Sequence, residues 1–129
     1  MSRDHALVRE LIAVHDGLRR ELKELRGAER VTHDLRVRCM YYCHHVETHH
    51  TVESLYLFTA LRERFPTSGE VIDRLEEEHA KVAEILRAIE RAADFREELD
   101  RLADELLAHL DWEEEQLTPL LAQLDRWPS

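Results

Sequence analysis

The chain centres on His45-Val46-Glu47-Thr48-His49-His50-Thr51-Val52-Glu53, continued by Ser54-Leu55-Tyr56-Leu57-Phe58-Thr59-Ala60-Leu61. A step of four residues along an α-helix turns roughly 40° and climbs about 6 Å. His45, His49 and Glu53 therefore stack on one helix face, with Tyr56 and Ala60 on the same side. Two imidazoles and a carboxylate stand where an apolar stripe should run. Such a column is either a chain of satisfied buried polar groups or one wall of a metal site.

Working outward, this helix is expected over about 32–65, with Thr32 as N-cap and Pro66 just beyond its end. Its inner face reads Leu35, Cys39, Tyr42, His45, Val46, His49, Val52, Glu53, Tyr56, Leu57 and Ala60, with Met40 and Phe58 pointing away. A preceding helix, about 4–26, carries Val8, Leu11, Ile12, Leu18 and Leu22 around a central His15, and Gly27 is placed to end it in the left-handed conformation. Thr67-Ser68-Gly69-Glu70 has the form of a capping box and opens a third helix, about 68–93, with His79 central among Ile72, Leu75, Val82, Ala83, Leu86 and Ala93. Asp94 caps the fourth, about 95–125, which turns Leu99, Leu102, Leu106, His109, Glu113, Gln116, Leu117, Leu120 and Leu124 inward. Pro119 is expected to kink or break that helix near its end. Four such helices with short connections make an all-α, up-down-up-down four-helix bundle, a single domain over 1–129.

Composition narrows the function classes. Lys and Arg number 18 against 28 Asp and Glu, a formal charge of −10, which argues against a nucleic-acid or anionic-membrane partner. No apolar run approaches a signal h-region or a membrane span, so a soluble cytoplasmic protein is expected. Cys39 and Cys43, one helical turn apart, are poorly placed for a disulfide and read as small buried residues in a reducing compartment.

The second and fourth helices repeat one another. His49 and His109, Glu53 and Glu113, Leu57 and Leu117, and Leu61 and Leu121 are each 60 residues apart. Each half of the chain is then a helical hairpin with a central His on its first helix (His15, His79) and His-x-x-x-Glu on its second. Folded together, the halves bring four imidazoles and two carboxylates to one level of the core. Carboxylates buried among leucines without a counter-charge are costly. Two cations, each held by two His and sharing both Glu, would remove that cost. Imidazole mixed with carboxylate, no thiolate and more than four ligands suit octahedral iron or manganese better than tetrahedral zinc.

The whole pattern resembles the hemerythrin-like family, the His-His-Glu cation-binding domain. The resemblance rests on His15-Asp16-Gly17-Leu18, on His49-His50-x-x-Glu53 followed by Leu57-Phe58-x-x-Leu61, on Glu78-His79, and on His109-x-x-x-Glu113-Glu114 followed by Leu117-x-Pro119-Leu120. It implies a four-helix bundle around two non-haem irons, oxo- or hydroxo- and carboxylate-bridged, with manganese or zinc less favoured, that binds O2, H2O2 or NO. By the same resemblance His15, His49, Glu53, His79, His109 and Glu113 are the metal ligands, with Glu53 and Glu113 bridging. The chain departs from the oxygen carriers at one point: they have a second His one turn from the third-helix His, where this sequence has Leu75 and Ala83. That side is one ligand short, and reversible oxygen carriage is disfavoured. His45, Tyr56, Glu76 and Glu105 are the candidates to fill the gap, and Tyr56 and His45 are also the candidate acid–base groups. His50, at the edge of its face, is expected to hydrogen-bond rather than ligate. His5, His33 and His44, and the run Glu77, Glu78, Glu114 and Glu115, are expected to be solvated. The functional expectation is a di-iron protein binding or reducing an oxygen species, peroxide-detoxifying in its enzymatic form, as a monomer or weak homodimer. The alternative is an iron or oxygen sensor or storage module acting through a partner.

Overall fold

The computed structural model describes residues 5–128. Helix α1 (Ala6–Arg26) begins where His5 Nδ1 accepts the Leu7 N–H, and it buries Leu7, Val8, Leu11, His15, Leu18, Leu22 and Leu25. His5 is therefore a cap rather than a free surface group. Gly27 does not turn left-handed: at φ −76° and ψ −9° its N–H simply extends the helical pattern to the Lys23 carbonyl.

Helix α2 (His33–Val52) starts at Thr32, whose Oγ1 accepts the Leu35 N–H at 3.0 Å. It runs into α3 (Phe58–Arg64) through one π turn, Glu53–Leu57, in which the Phe58 N–H reaches back five residues to the Glu53 carbonyl. The wide turn accommodates one extra residue and rotates everything after it. Phe58 is consequently turned into the core, and Tyr56 is turned out, 57% exposed. Uniform 3.6-residue spacing carried across this turn gives the opposite assignment. Upstream of it the buried line runs Val46, His50, Glu53, which leaves His45 and Val52 outside.

Pro66–Ser68 form a 3-10 turn before α4 (Gly69–Glu90). The expected capping box is not made: Thr67 lies inside the 3-10 turn, and Ser68 takes the N-cap position with its hydroxyl donating to the Phe65 carbonyl at 2.7 Å. Helix α4 stops at Glu90, so Ala93 lies beyond it, while Ile85 and Ile89 join the core. Helix α5 (Phe95–Leu121) is capped by Asp94, which accepts the Glu97 N–H at 3.0 Å, and it continues through Pro119 to end at Leu121 rather than near 125. A proline two residues from a helix end removes a single bond, which the helix tolerates.

The apolar core has two parts. One contains Leu18, Leu22, Leu35, Tyr42, Val46, Val82, Leu86, Leu99 and Leu106; the other contains Leu7, Leu11, Phe58, Leu61, Ile72, Leu75, Leu117 and Leu121. Along every helical rod a break separates them, filled by His15 in α1, by His50 and Glu53, by His79 in α4, and by His109 and Glu113 in α5. Among the described residues no helix is long and apolar enough to cross a membrane.

Candidate metal centre

The break between the two cores is a closed polar layer. Glu53, the first residue of the π turn, puts Oε2 at 3.2 Å from His49 Nε2 and 4.0 Å from His15 Nε2, and Oε1 at 3.2 Å from His79 Nε2. Glu113 faces it from α5, with Oε2 at 2.9 Å from His109 Nε2 and 3.7 Å from His79 Nε2, and Oε1 at 3.4 Å from His15 Nε2. The six residues singled out by the repeat thus converge. A seventh joins them. His50 is buried, stacked on the His79 ring at 3.8 Å between centroids and edge-on to His109 at 5.0 Å.

Each of three imidazoles is held from behind. His15 Nδ1–H donates to Glu114 Oε2 at 2.7 Å, and Arg19 grips the same oxygen at 2.7 Å. His109 Nδ1–H donates to Glu78 Oε1 at 2.7 Å, whose other oxygen accepts from Arg74 Nε at 3.2 Å. His79 Nδ1–H points at the Ser54 hydroxyl at 3.2 Å, which donates onward to Glu76 Oε1 at 2.5 Å. A proton fixed on Nδ1 leaves the Nε2 lone pair aimed into the layer, the orientation that metal-bound histidines take. Glu78 and Glu114 are therefore not part of a solvated acidic face. They are mostly buried acceptors, matched by position to the imidazoles across from them.

The layer is unsatisfied as it stands. Both oxygens of Glu53 and of Glu113, and Nε2 of His50, His79 and His109, are buried without a hydrogen-bond partner. Burial first, and then the neighbouring Glu113 charge, pushes the Glu53 carboxyl well above the usual carboxylate range. Glu113 goes the other way: burial works against ionisation, but contacts from Glu53, His109, His15 and His79 hold it well below that range. Burial opposes charge on His15 and His109 too, yet their carboxylate partners Glu113, Glu114 and Glu78 raise both pKa values. His49 and His50, buried beside other imidazoles, are pushed down to about 4 and about 2.

The ligand atoms fall into two sets, each within 4.8 Å: His50, Glu53, His79 and His109, and His15, His49, Glu53 and Glu113. Glu53 belongs to both. Five imidazoles and two carboxylates with orphaned lone pairs fit a pair of cations sharing a carboxylate, and the division is three imidazoles on one side and two on the other. The sequence reading of two and two missed His50.

The remaining candidates lie outside both sets. His45 is on the surface, its Nδ1 3.7 Å from Glu21. Glu76 acts through Ser54 and comes no closer than 3.8 Å to His79 Nδ1. Glu105 is half-buried on α5 one turn before His109. Tyr56 faces outward but lines a cavity with His49 and Glu53. Cys39 and Cys43 are free buried thiols in one apolar core, their sulfurs 3.9 Å apart.

The described residues form helices without strands around a buried histidine–glutamate layer that could hold cations. The family model for the hemerythrin HHE cation-binding domain matches residues 6–121, and the chain belongs to that family. No curated protein and no solved structure matches it.

Proposed function

We propose that the chain is a single-domain, up-down-up-down bundle that holds two non-haem irons and binds or reduces a small oxygen species, with peroxide as the favoured substrate. The order in which the rods meet the two apolar cores supports the topology: α1 and α4 pass from the Leu11 side to the Leu18 side, and α2–α3 and α5 return. One ion would take His50, His79 and His109, the other His15 and His49, with Glu53 and Glu113 shared. Nitrogen and oxygen donors without thiolate favour iron over a tetrahedral zinc site. Held there, the irons would supply the redox equivalents for chemistry on a small oxygen-containing ligand.

The observation that carries the reading is the asymmetry of the layer. The side with two imidazoles, His15 and His49, opens on a cavity of about 540 Å3 lined with Leu11, Val14, Tyr56 and Leu57, while the three-imidazole side meets one of about 330 Å3 lined with His50, Ser54 and His79. The protein's own groups have complementary tasks: Glu53 and Glu113 neutralise and space the cations, Glu78, Glu114 and Ser54 orient the imidazoles, and the apolar wall limits water. Tyr56 places a phenol beside the open side, where it can donate a proton. The test is hydrogen peroxide added to pure iron-loaded protein: catalytic loss of peroxide over many turnovers is expected. Stoichiometric binding without turnover would replace the enzyme reading by that of a sensor.

A further inference from the structure

The cavity that reaches His49 and Glu53 has a volume of about 540 Å3 and lies between α1, the π turn and the C-terminal residues Trp127 and Pro128. The Trp127 indole N–H donates to the Glu10 carboxylate, which pins the tail along one wall. A ligand the size of water or peroxide occupies roughly 30 Å3. Cavities of about 300–1,000 Å3 enclose organic molecules. The space is therefore more than ten times what an oxygen species needs. Its rim is apolar as well: Val14, Val52 and Tyr56 all line it, though about half of each is exposed.

The internal repeat shows that this apolarity is particular to one half. Glu78, immediately before His79, accepts a hydrogen bond from His109 Nδ1–H; the residue in the same place before His15 is Val14, on the cavity wall. At the inner end the two Glu53 oxygens are buried and without hydrogen bonds. Glu10, in a chain of formal charge −10, disfavours an anionic occupant.

We propose that this cavity binds a neutral organic molecule with an apolar body and one hydroxyl or hydroperoxyl end, the end meeting Glu53 and His49. The inference rests on the preceding reading for what that end encounters, and it extends the substrate class from peroxide itself to organic hydroperoxides or the corresponding alcohols.

The test uses metal-free full-length protein titrated calorimetrically with 1-butanol, 1-hexanol and 1-octanol. Affinity should rise about fourfold per methylene, the ratio expected from about 0.8 kcal/mol per buried CH2. Val14→Trp and Val52→Trp, which fill the cavity from opposite walls, should each weaken 1-octanol at least tenfold while leaving the helical circular dichroism and two-metal uptake intact. Octyl hydroperoxide binding tenfold more tightly than 1-octanol would assign the hydroperoxide, and equal or weaker binding would assign the alcohol; either supports the site. Absence of 1-octanol binding up to its solubility limit, affinity independent of chain length, or wild-type affinity in both variants would overturn it. So would sedimentation showing a dimer that excludes 1-octanol, since a second copy would then cover the cavity. Octanol binding without metal uptake would sink the metal reading and leave this one standing, and metal uptake without octanol binding would do the reverse.

Discussion

Glu53→Gln and Glu113→Gln are chemically the same change on repeat-related residues, and the structure requires them to differ. In the metal-free protein burial and the neighbouring Glu113 charge favour the neutral form of Glu53, and glutamine at 53 replaces that form by another uncharged hydrogen-bonding group. The fold should change in stability by less than about 1 kcal/mol. Glu113 is held ionised and faces His109 at 2.9 Å and His15 at 3.4 Å, all three side chains being essentially inaccessible. Removing one member of a buried charged group costs about 3–5 kcal/mol. The histidines can lose their extra protons at neutral pH, which reduces the expected cost to about 2 kcal/mol. For a chain of this size that is a fall in Tm of roughly 6–10 °C, against a few degrees or less for Glu53→Gln. Thermal melts by circular dichroism, with and without Fe(II) under anaerobic conditions, read both quantities. Both variants should lose most of the metal-induced rise in Tm that the unaltered chain shows, because each lacks a shared carboxylate. Equal melting temperatures for the two metal-free variants, or a larger fall for Glu53→Gln, would refute the assignment of charge in the layer. A full metal-induced rise in either would refute the sharing.

His50→Ala should lower bound metal from two ions toward one per chain, whereas His45→Ala, a surface change, should leave two; elemental analysis of the purified variants distinguishes them. Tyr56→Phe should leave metal content and the visible spectrum of the ferric protein unaltered, since the phenol faces outward; loss of an absorption band would place it on the iron. Metal uptake should release protons at pH 6, where Glu53, His15 and His109 carry protons that a cation must displace while His49 and His50 do not. Affinity should therefore weaken as the pH falls from 7 to 5.5, and calorimetry in buffers of different ionisation enthalpy should show at least two protons released. The buried neutral His49 adds a stability effect of fixed sign: its pKa is lowered to about 4, so the unfolded chain binds the proton more readily. Its contribution is intact above pH 6.5 and is lost as the pH falls toward 4. Because His15, His109 and Glu53 act with the opposite sign, it is read as the difference between the unaltered chain and His49→Gln in urea titrations of the metal-free proteins at pH 7 and 5.

The bundle and the six converging residues were legible because both follow from periodicity. Leu, His and Glu recur at helical spacing, and the offset of 60 residues pairs His49 with His109 and Glu53 with Glu113. What periodicity could not carry was a change of period. The π turn at Glu53–Leu57 has no distinctive composition, yet it reverses Tyr56 and Phe58 and brings Ser54 against His79. The same repeat held an unused signal for the outer groups, since Ser54 and Glu114 occupy equivalent positions and each meets the first-helix histidine of a hairpin, His79 and His15. His50 was hidden for the opposite reason. Its repeat mate is Leu110, so it breaks the symmetry that located the other ligands, and that break makes the layer three imidazoles to two. Glu78 and Glu114 look like surface charge because glutamate runs usually are; their hydrogen bonds from His109 and His15, each on another helix, become visible only in three dimensions.

The histidine–glutamate layer should be completed by a pair of like cations sharing carboxylates. X-ray absorption at the iron edge of protein loaded anaerobically with Fe(II) measures this directly, alongside the iron content. Two irons per chain, nitrogen and oxygen neighbours alone, and an iron–iron scattering contribution are the predicted result. A single iron per chain, or two without a mutual scattering contribution, would contradict it.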